Sequence, residues 1–126
     1  MEKECIFCKE FDKDRIIYED DTWIAVLDAF PVTLGHTLLI PKRHCETFFD
    51  LNYIESSTFM ATIGIVKMIL DTKFNPNGYN VGANCGKASG QSINHCHIHI
   101  IPRYDGDVED PLGGVRGVIP DKQKYA

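Results

Sequence analysis

The chain has 126 residues, 44% of them hydrophobic and 25% charged, with a formal net charge of −5. That length suits one domain able to bury its own core without disulfide staples, and the composition excludes disordered and fibrous classes. The acidic balance argues against nonspecific nucleic-acid binding, which requires many neutralised phosphates, but a single nucleotide needs only local donors.

The chain begins MEKECIFC, with acids and no apolar stretch of the kind a secretory signal carries. A reducing, cytoplasmic setting is the expectation, with cysteines acting as thiols or ligands. Residues 1–10 read as a knuckle. RIIYE (15–19) and TWIAVLD (22–28) flank Asp20-Asp21 as a hairpin of β-rich segments, and HTLLIP (36–41) is a third strand. PKRH (41–44) is the one compact basic stretch and also reads as a solvated strand end. From Asn52 to Lys73 a helix is expected: Asn52 and Glu55 have capping-box spacing, and Phe59, Ile63, Val66 and Leu70 recur at helical intervals. Asn75-Pro76-Asn77-Gly78 stops it. YNVGAN (79–84) and INHCHIHII (93–101) are two further strands joined by CGKASGQS, and from Arg103 onward an irregular tail is expected. Nothing marks a domain boundary, and the apolar runs read as too short to cross a bilayer, so no membrane contact is expected. The order implies an α+β fold: an antiparallel five-stranded sheet with one main helix.

The stretch INHCHIHIIP puts His95, His97 and His99 on one face of an extended strand and Cys96, Ile98 and Ile100 on the other. The second set reads as core, with Cys96 a small buried hydrophobe. One satisfied structural histidine is common; three in strict alternation are not explained by packing. Neighbours on a strand face lie about 6–7 Å apart and the outer pair about 13 Å, so one metal cannot take all three. Cys5 and Cys8 form C-x-x-C, which by itself fits a zinc pair, a redox pair or chance. If the knuckle packs beside PKRH and the start of the histidine strand, Cys5, Cys8, His44 and His95 complete a closed structural zinc site. His97 and His99 are then left for chemistry. A histidine is a good nucleophile when its other ring nitrogen donates to a carbonyl, and phosphorus is a suitable electrophile. The loop Gly86 to Ser92 is expected to bring backbone N–H groups, Gln91 and Ser92 against phosphate oxygens, though a plain hairpin turn is the simpler alternative. It is not a Walker loop, because Ala88 follows Gly86-Lys87, Val81 stands where the leading glycine belongs, and a strand follows.

GQSINHCHIHIIPRY, with C-x-x-C at the start, VLDAFPVTLGHTLLIPKRH in the middle and GYNVGANCGKASGQS before the histidines, resembles the histidine triad family of nucleotidyl hydrolases and transferases. The resemblance spans nearly the whole chain. It implies cleavage at the α-phosphate of purine nucleotide conjugates, AMP or GMP bearing an ester, anhydride or amide, through a nucleotidyl-histidine intermediate. His97 matches the nucleophile, His99 a group that bonds the phosphate or supports the loop, and His95 a residue beside or within a structural zinc site. Ser92 matches the residue that assists the leaving group, Gln91 and Asn84 phosphate-side donors, and His36 a fourth histidine. Asp28 matches the carboxylate that grips the ribose. Ile6, Phe7, Val26 and Leu38 fall where relatives sandwich the base, with plain core packing as the alternative for these four. The resemblance also implies a homodimer, joined through the helix and the fourth strand, and no need for a divalent cation in the reaction.

The branch markers are mixed. Asn84-x-Gly86 and G-Q-S look like the Hint branch, which cleaves nucleoside phosphoramidates, whereas I-P-R-Y after the triad looks like the fragile histidine triad branch, which splits dinucleoside polyphosphates. Arg103 or Arg116 would then serve the polyphosphate, with a solvated tail as the simpler reading. Two other readings stay open from the residues alone: a catalytic zinc on His95 and His97 that activates water, and a zinc-stabilised nucleotide-binding protein without turnover.

Overall fold

The computed structural model describes residues 5–125. Residues 1–4, which the sequence reading included in the knuckle, lie outside them. Five strands, β1 (Ile16–Glu19), β2 (Trp23–Leu27), β3 (Thr37–Pro41), β4 (Gly78–Gly82) and β5 (Ile98–Arg103), form one antiparallel sheet in the order β1-β2-β3-β5-β4. The single long helix, α1 (Tyr53–Phe74), lies against one face.

The period-2 pattern splits the sheet cleanly. Trp23, Ala25, Leu39, Ile98 and Ile100 face α1 and pack with Val66 and Leu70. Ile24, Val26, Leu38 and Ile40 point the opposite way and are capped by Phe7, with Phe11 and Ile16 alongside. Leu38 pairs with His99 across β3 and β5, so the second face is the one that carries the histidines.

α1 starts where its cap demands. Asn52 Oδ1 accepts from the Glu55 amide at 2.9 Å and Glu55 returns a carboxylate oxygen to the Asn52 amide at 2.8 Å. The buried Glu55 also takes two bonds from the Arg43 guanidinium, at 2.8 and 3.1 Å. Burial pushes the Glu55 carboxyl up, but Arg43 and the Asn52 amide outweigh it, and the group sits below the ordinary glutamate range. Asn75 ends the helix in the left-handed conformation (φ 50°), its amide on the Asp71 carbonyl, and Pro76 prevents continuation. Trp23 Nε1 donates to Thr58 Oγ1 at 2.9 Å and ties α1 to β2.

Two expectations are corrected. β5 begins at Ile98, not at Ile93, because residues 93–97 cross the end of the sheet and the Cys96 amide bonds to the Cys45 carbonyl (2.7 Å) instead of a strand ladder. The in-out alternation nonetheless continues through them: Cys96 lies in the α1-side core, and burial pushes its thiol up to about 12. The apolar runs of α1 are short, broken by Glu55, Lys67 and Asp71, yet by length and composition the whole helix would reach across a membrane, because Tyr53, Met60, Ile65 and Met68 make its outer side apolar too. The tail, finally, is more ordered than expected and contains 3₁₀ turns at Gly114–Val118 and Pro120–Lys122.

Candidate active site

Two adjoining centres occupy the histidine face. The first is built where the N-terminal turn meets the ends of β3 and of the 93–97 crossing. Cys5, Cys8, His44 and His95 present one ligand atom each, all within 4.8 Å of one another. His95 Nε2–H donates to the Pro41 carbonyl at 2.8 Å, which leaves Nδ1 unprotonated and facing Cys5 Sγ (3.4 Å) and Cys8 Sγ (3.5 Å). His44 Nδ1 lies 3.2 Å from Cys8 Sγ. A backbone carbonyl that fixes the tautomer of a ligand histidine is the usual outer-shell support of a metal site. Two thiolates and two imidazoles so placed suit a closed tetrahedral cation site with no position for substrate.

The second centre is a cleft of about 510 Å³ beside it. His97 lines it, with Nδ1–H donated to the His95 carbonyl at 2.8 Å. The lone pair is therefore on Nε2. Phe7 stands edge-on to the His97 ring, 5.1 Å between centroids, and the His99 ring follows at 5.3 Å.

His99 is held from behind. Gly35 takes φ 89° in the β2–β3 turn, where a side chain would strike Phe74 and Pro102, and so delivers His36 to the sheet. The Val32 amide donates to His36 Nδ1 at 3.0 Å, so the His36 proton sits on Nε2, 2.9 Å from His99 Nδ1. His99 accepts there and keeps its own proton on Nε2. Burial holds both imidazoles below the ordinary histidine value; nearby His97 and His36 add to the effect on His99, and Asp28 partly opposes it in both. Both are neutral donors at pH 7. Asp28, His36 and His99 do bring ligand atoms within 4.8 Å. The proton on His36 Nε2 occupies the lone pair a cation would need, so this group is a hydrogen-bond relay. Asp28 lies at its end, Oδ2 at 3.5 Å from His36 and Oδ1 bonded to the Phe30 amide, with lone pairs left towards the cleft.

Of the remaining expected site residues, Ile6, Phe7, Leu38, Asn84 and Ser92 also line this cleft. Val26 is fully buried beneath it. Gln91 turns away: its Oε1 accepts from the Gly86 amide, and its Nε2 donates to the Glu46 and Ile93 carbonyls. The amides of Ser89, Gly90 and Gln91 are also bonded within the loop. The loop is thus a stapled turn at Gly86 and at Ser89 to Gln91, and beside it Asn84, Ser92 and His99 line the cleft. Arg103 is engaged by both Asp107 oxygens and by Asn80, and Arg116 by the Gln123 carbonyl and the Tyr125 ring. His95 and His97 do not converge on a common point: one points Nδ1 at the cysteines, the other donates Nδ1–H to a carbonyl.

The sequence reading missed Phe11, Phe30, Val32 and Ile93 on the cleft wall. Ile93 has the parity of the three histidines and was findable. The Val32 contribution is a backbone amide, which no residue type announces.

The family model described as the HIT domain matches residues 9–106. The chain belongs to the HIT family. An uncharacterised HIT-like protein of Methanocaldococcus jannaschii is 41% identical over 122 residues, 94% of each chain. Adenylylsulfatase HINT3 of Arabidopsis thaliana is 32% identical over 85% of this chain and 56% of its own, and the AP-4-A phosphorylase of Mycobacterium tuberculosis 36% over 76% and 50%. Among solved structures, a zinc-bound histidine triad family protein from Mycobacterium smegmatis superposes with a TM-score of 0.74 at 31% identity, covering 85% of this chain and 80% of that one. This HIT protein shares their antiparallel sheet and single main helix.

Proposed function

We propose that this HIT protein is a nucleotide hydrolase or transferase that cleaves at the α-phosphate of purine nucleotide conjugates, nucleoside phosphoramidates foremost. The single observation that carries the reading is the His97 ring: Nδ1–H is anchored on the His95 carbonyl, and the unprotonated Nε2 belongs to a ring that lines the cleft. His97 Nε2 attacks phosphorus, the phosphorus–nitrogen or phosphorus–oxygen bond breaks with its electron pair on the leaving group, and that group takes up a proton through the Ser92 hydroxyl from solvent. Water then attacks phosphorus, the phosphorus–Nε2 bond breaks back to the imidazole, and the water proton passes to solvent. His99 Nε2–H and Asn84 bond the phosphate oxygens as charge accumulates there. Asp28 accepts from the ribose hydroxyls, and Ile6, Phe7 and Leu38 hold the base, with Val26 beneath them. Gln91 acts by shaping the loop.

Cys5, Cys8, His44 and His95 would hold zinc, which supplies a structural cross-link here. The zinc-bound relative and the donor set support that choice. A homodimer is supported by the apolar outer side of α1 and by the place of β4 at the edge of the sheet, where no further strand pairs with it among the described residues. The cytoplasm is the proposed compartment, in keeping with Cys45, Cys85 and Cys96, which form no disulfide among the described residues.

The names of two relatives, an adenylylsulfatase and an AP-4-A phosphorylase, support nucleotide conjugates as the substrate class. The test is incubation with adenosine 5′-phosphoramidate and with diadenosine tetraphosphate, wild type against His97→Ala, with mass-spectrometric trapping of a nucleotidyl adduct on His97. Release of AMP by the wild type alone, through that adduct, is expected. AMP binding without turnover of either compound would leave the protein a nucleotide-binding module.

A further inference from the structure

One wall of the histidine cleft is a row of rings that runs outwards from the nucleophile. Phe7 stands 5.1 Å from the His97 ring, Phe11 follows 5.8 Å beyond Phe7, and the Arg15 guanidinium carbon lies 5.7 Å over the Phe11 ring. At that far end the cleft changes character. Glu10, Asp12 and Arg15 line it there, on the stretch that leads into β1.

Arg15 is anchored. Its Nε donates to the Leu27 carbonyl at 3.0 Å, one residue before Asp28, and Phe11 supports its head. Asp12 is oriented too, because it caps the 3₁₀ turn Lys13–Arg15 with Oδ1 accepting from the Asp14 amide at 3.0 Å. Its Oδ2 and the second lone pair of Oδ1 remain for other donors. Although three residues apart and on one cleft, the Asp12 and Arg15 side chains form no ion pair with each other, and among the described residues the terminal nitrogens of Arg15 have no hydrogen bond. Fixed stems thus hold an unmatched donor fork and an unmatched acceptor at the end of an aromatic wall.

We propose that Arg15 and Asp12 read the polar edges of a guanine, so that the cleft selects guanine over adenine nucleotide conjugates. This rests on the reading of the cleft as a nucleotide site with Asp28 on the ribose. Guanine presents acceptors at O6 and N7, which a guanidinium meets with two parallel N–H bonds. It also presents donors at N1–H and the 2-amino group, which a carboxylate accepts side by side. Adenine fits neither pair. Its 6-amino group is a donor where the guanidinium needs an acceptor, and its N1 is an acceptor where the carboxylate needs a donor. A second phosphate on the ribose is the other ligand an arginine could take here, but Glu10 and Asp12 beside it would repel that charge.

The experiment is calorimetric titration of GMP, IMP and AMP, with kinetics on guanosine and adenosine 5′-phosphoramidates alongside. The wild type should bind GMP more tightly than AMP by roughly tenfold or more, the lower part of the range for bidentate pairs because Asp12 is exposed to water. IMP, which lacks the 2-amino group, should fall between them. Base contacts are alike in ground and transition states, so the preference should appear in KM and not in kcat. Arg15→Ala should bring GMP and IMP to within about threefold of AMP, and Arg15→Lys, which keeps the charge but not the fork, should lie between Ala and wild type. Asp12→Asn keeps an oxygen for the Asp14 amide and should abolish the advantage of GMP over IMP. Should Arg15→Ala lose its thermal transition, Arg15→Lys and Asp12→Asn carry the test. A wild type that binds AMP as tightly as GMP overturns the guanine reading and leaves the nucleotide site standing. So does a GMP preference indifferent to the Arg15 and Asp12 variants. If none of the three nucleotides binds, the nucleotide site and the guanine reading fall together.

Discussion

Removing metal from the Cys5, Cys8, His44 and His95 centre should weaken nucleotide binding in the neighbouring cleft. Ile6 and Phe7 are the two residues between the cysteine ligands, and both line that cleft. Phe7 is 8% exposed and reaches His97 and His95 edge-on. Among the contacts that the turn keeps without a cation are the Cys8 amide bond to the Cys5 carbonyl (3.1 Å), thiol–imidazole contacts of 3.2–3.5 Å, and the burial of Phe7 against Phe11 and the sheet. That burial is worth about 1.5–3 kcal/mol, against the ~10 kcal/mol or more of a structural zinc. Opening of the turn then becomes thermally accessible. A base that loses its aromatic wall gives up ~1–3 kcal/mol, so AMP affinity should fall by a factor of about 5–150. Calorimetric titration of AMP into zinc-loaded and chelator-treated protein measures this directly. Linkage requires that AMP raise zinc affinity by the same factor, measured by competition with a chromogenic chelator. An unchanged AMP Kd in chelated protein that keeps its far-ultraviolet dichroism would refute the coupling, as would full coupling in Phe7→Ala.

Two further outcomes follow from buried polar groups. With the pKa values of His36 and His99 held below the unfolded value of 6.5, their contribution to stability is complete above pH 6.5 and is lost as the pH falls through the lowered folded values. kcat/KM should fall over the same acidic window; His36→Leu should cost about 10–100-fold and move the ¹⁵N signature of the His99 tautomer, while His36→Gln, which can still donate to His99, should recover most of the loss. Arg43→Ala strips two bonds from a carboxylate whose side chain is 3% exposed. The Asn52 amide still donates to it, so urea denaturation should show a loss of about 3 kcal/mol, and adding Glu55→Gln should return part of it.

What the chain states on its own face is whatever depends on local pattern. Alternation placed Ile98 and Ile100 in the core and three histidines opposite; the Asn52–Glu55 pair marked the start of α1; and C-x-x-C with His44 and His95 named one metal-ligand set. What needed three dimensions was which main-chain groups meet the rings of the site. A carbonyl on His95 and an amide on Val32 decide which nitrogen of His97 and of His36 carries the proton, and the Glu46 and Ile93 carbonyls take the Gln91 side-chain amide. Main-chain donors and acceptors are nearly the same at every position of a sequence. Only the folded path of the chain, bringing residue 32 back over residue 36 and the tail back over β4, selects which of them meet a particular ring.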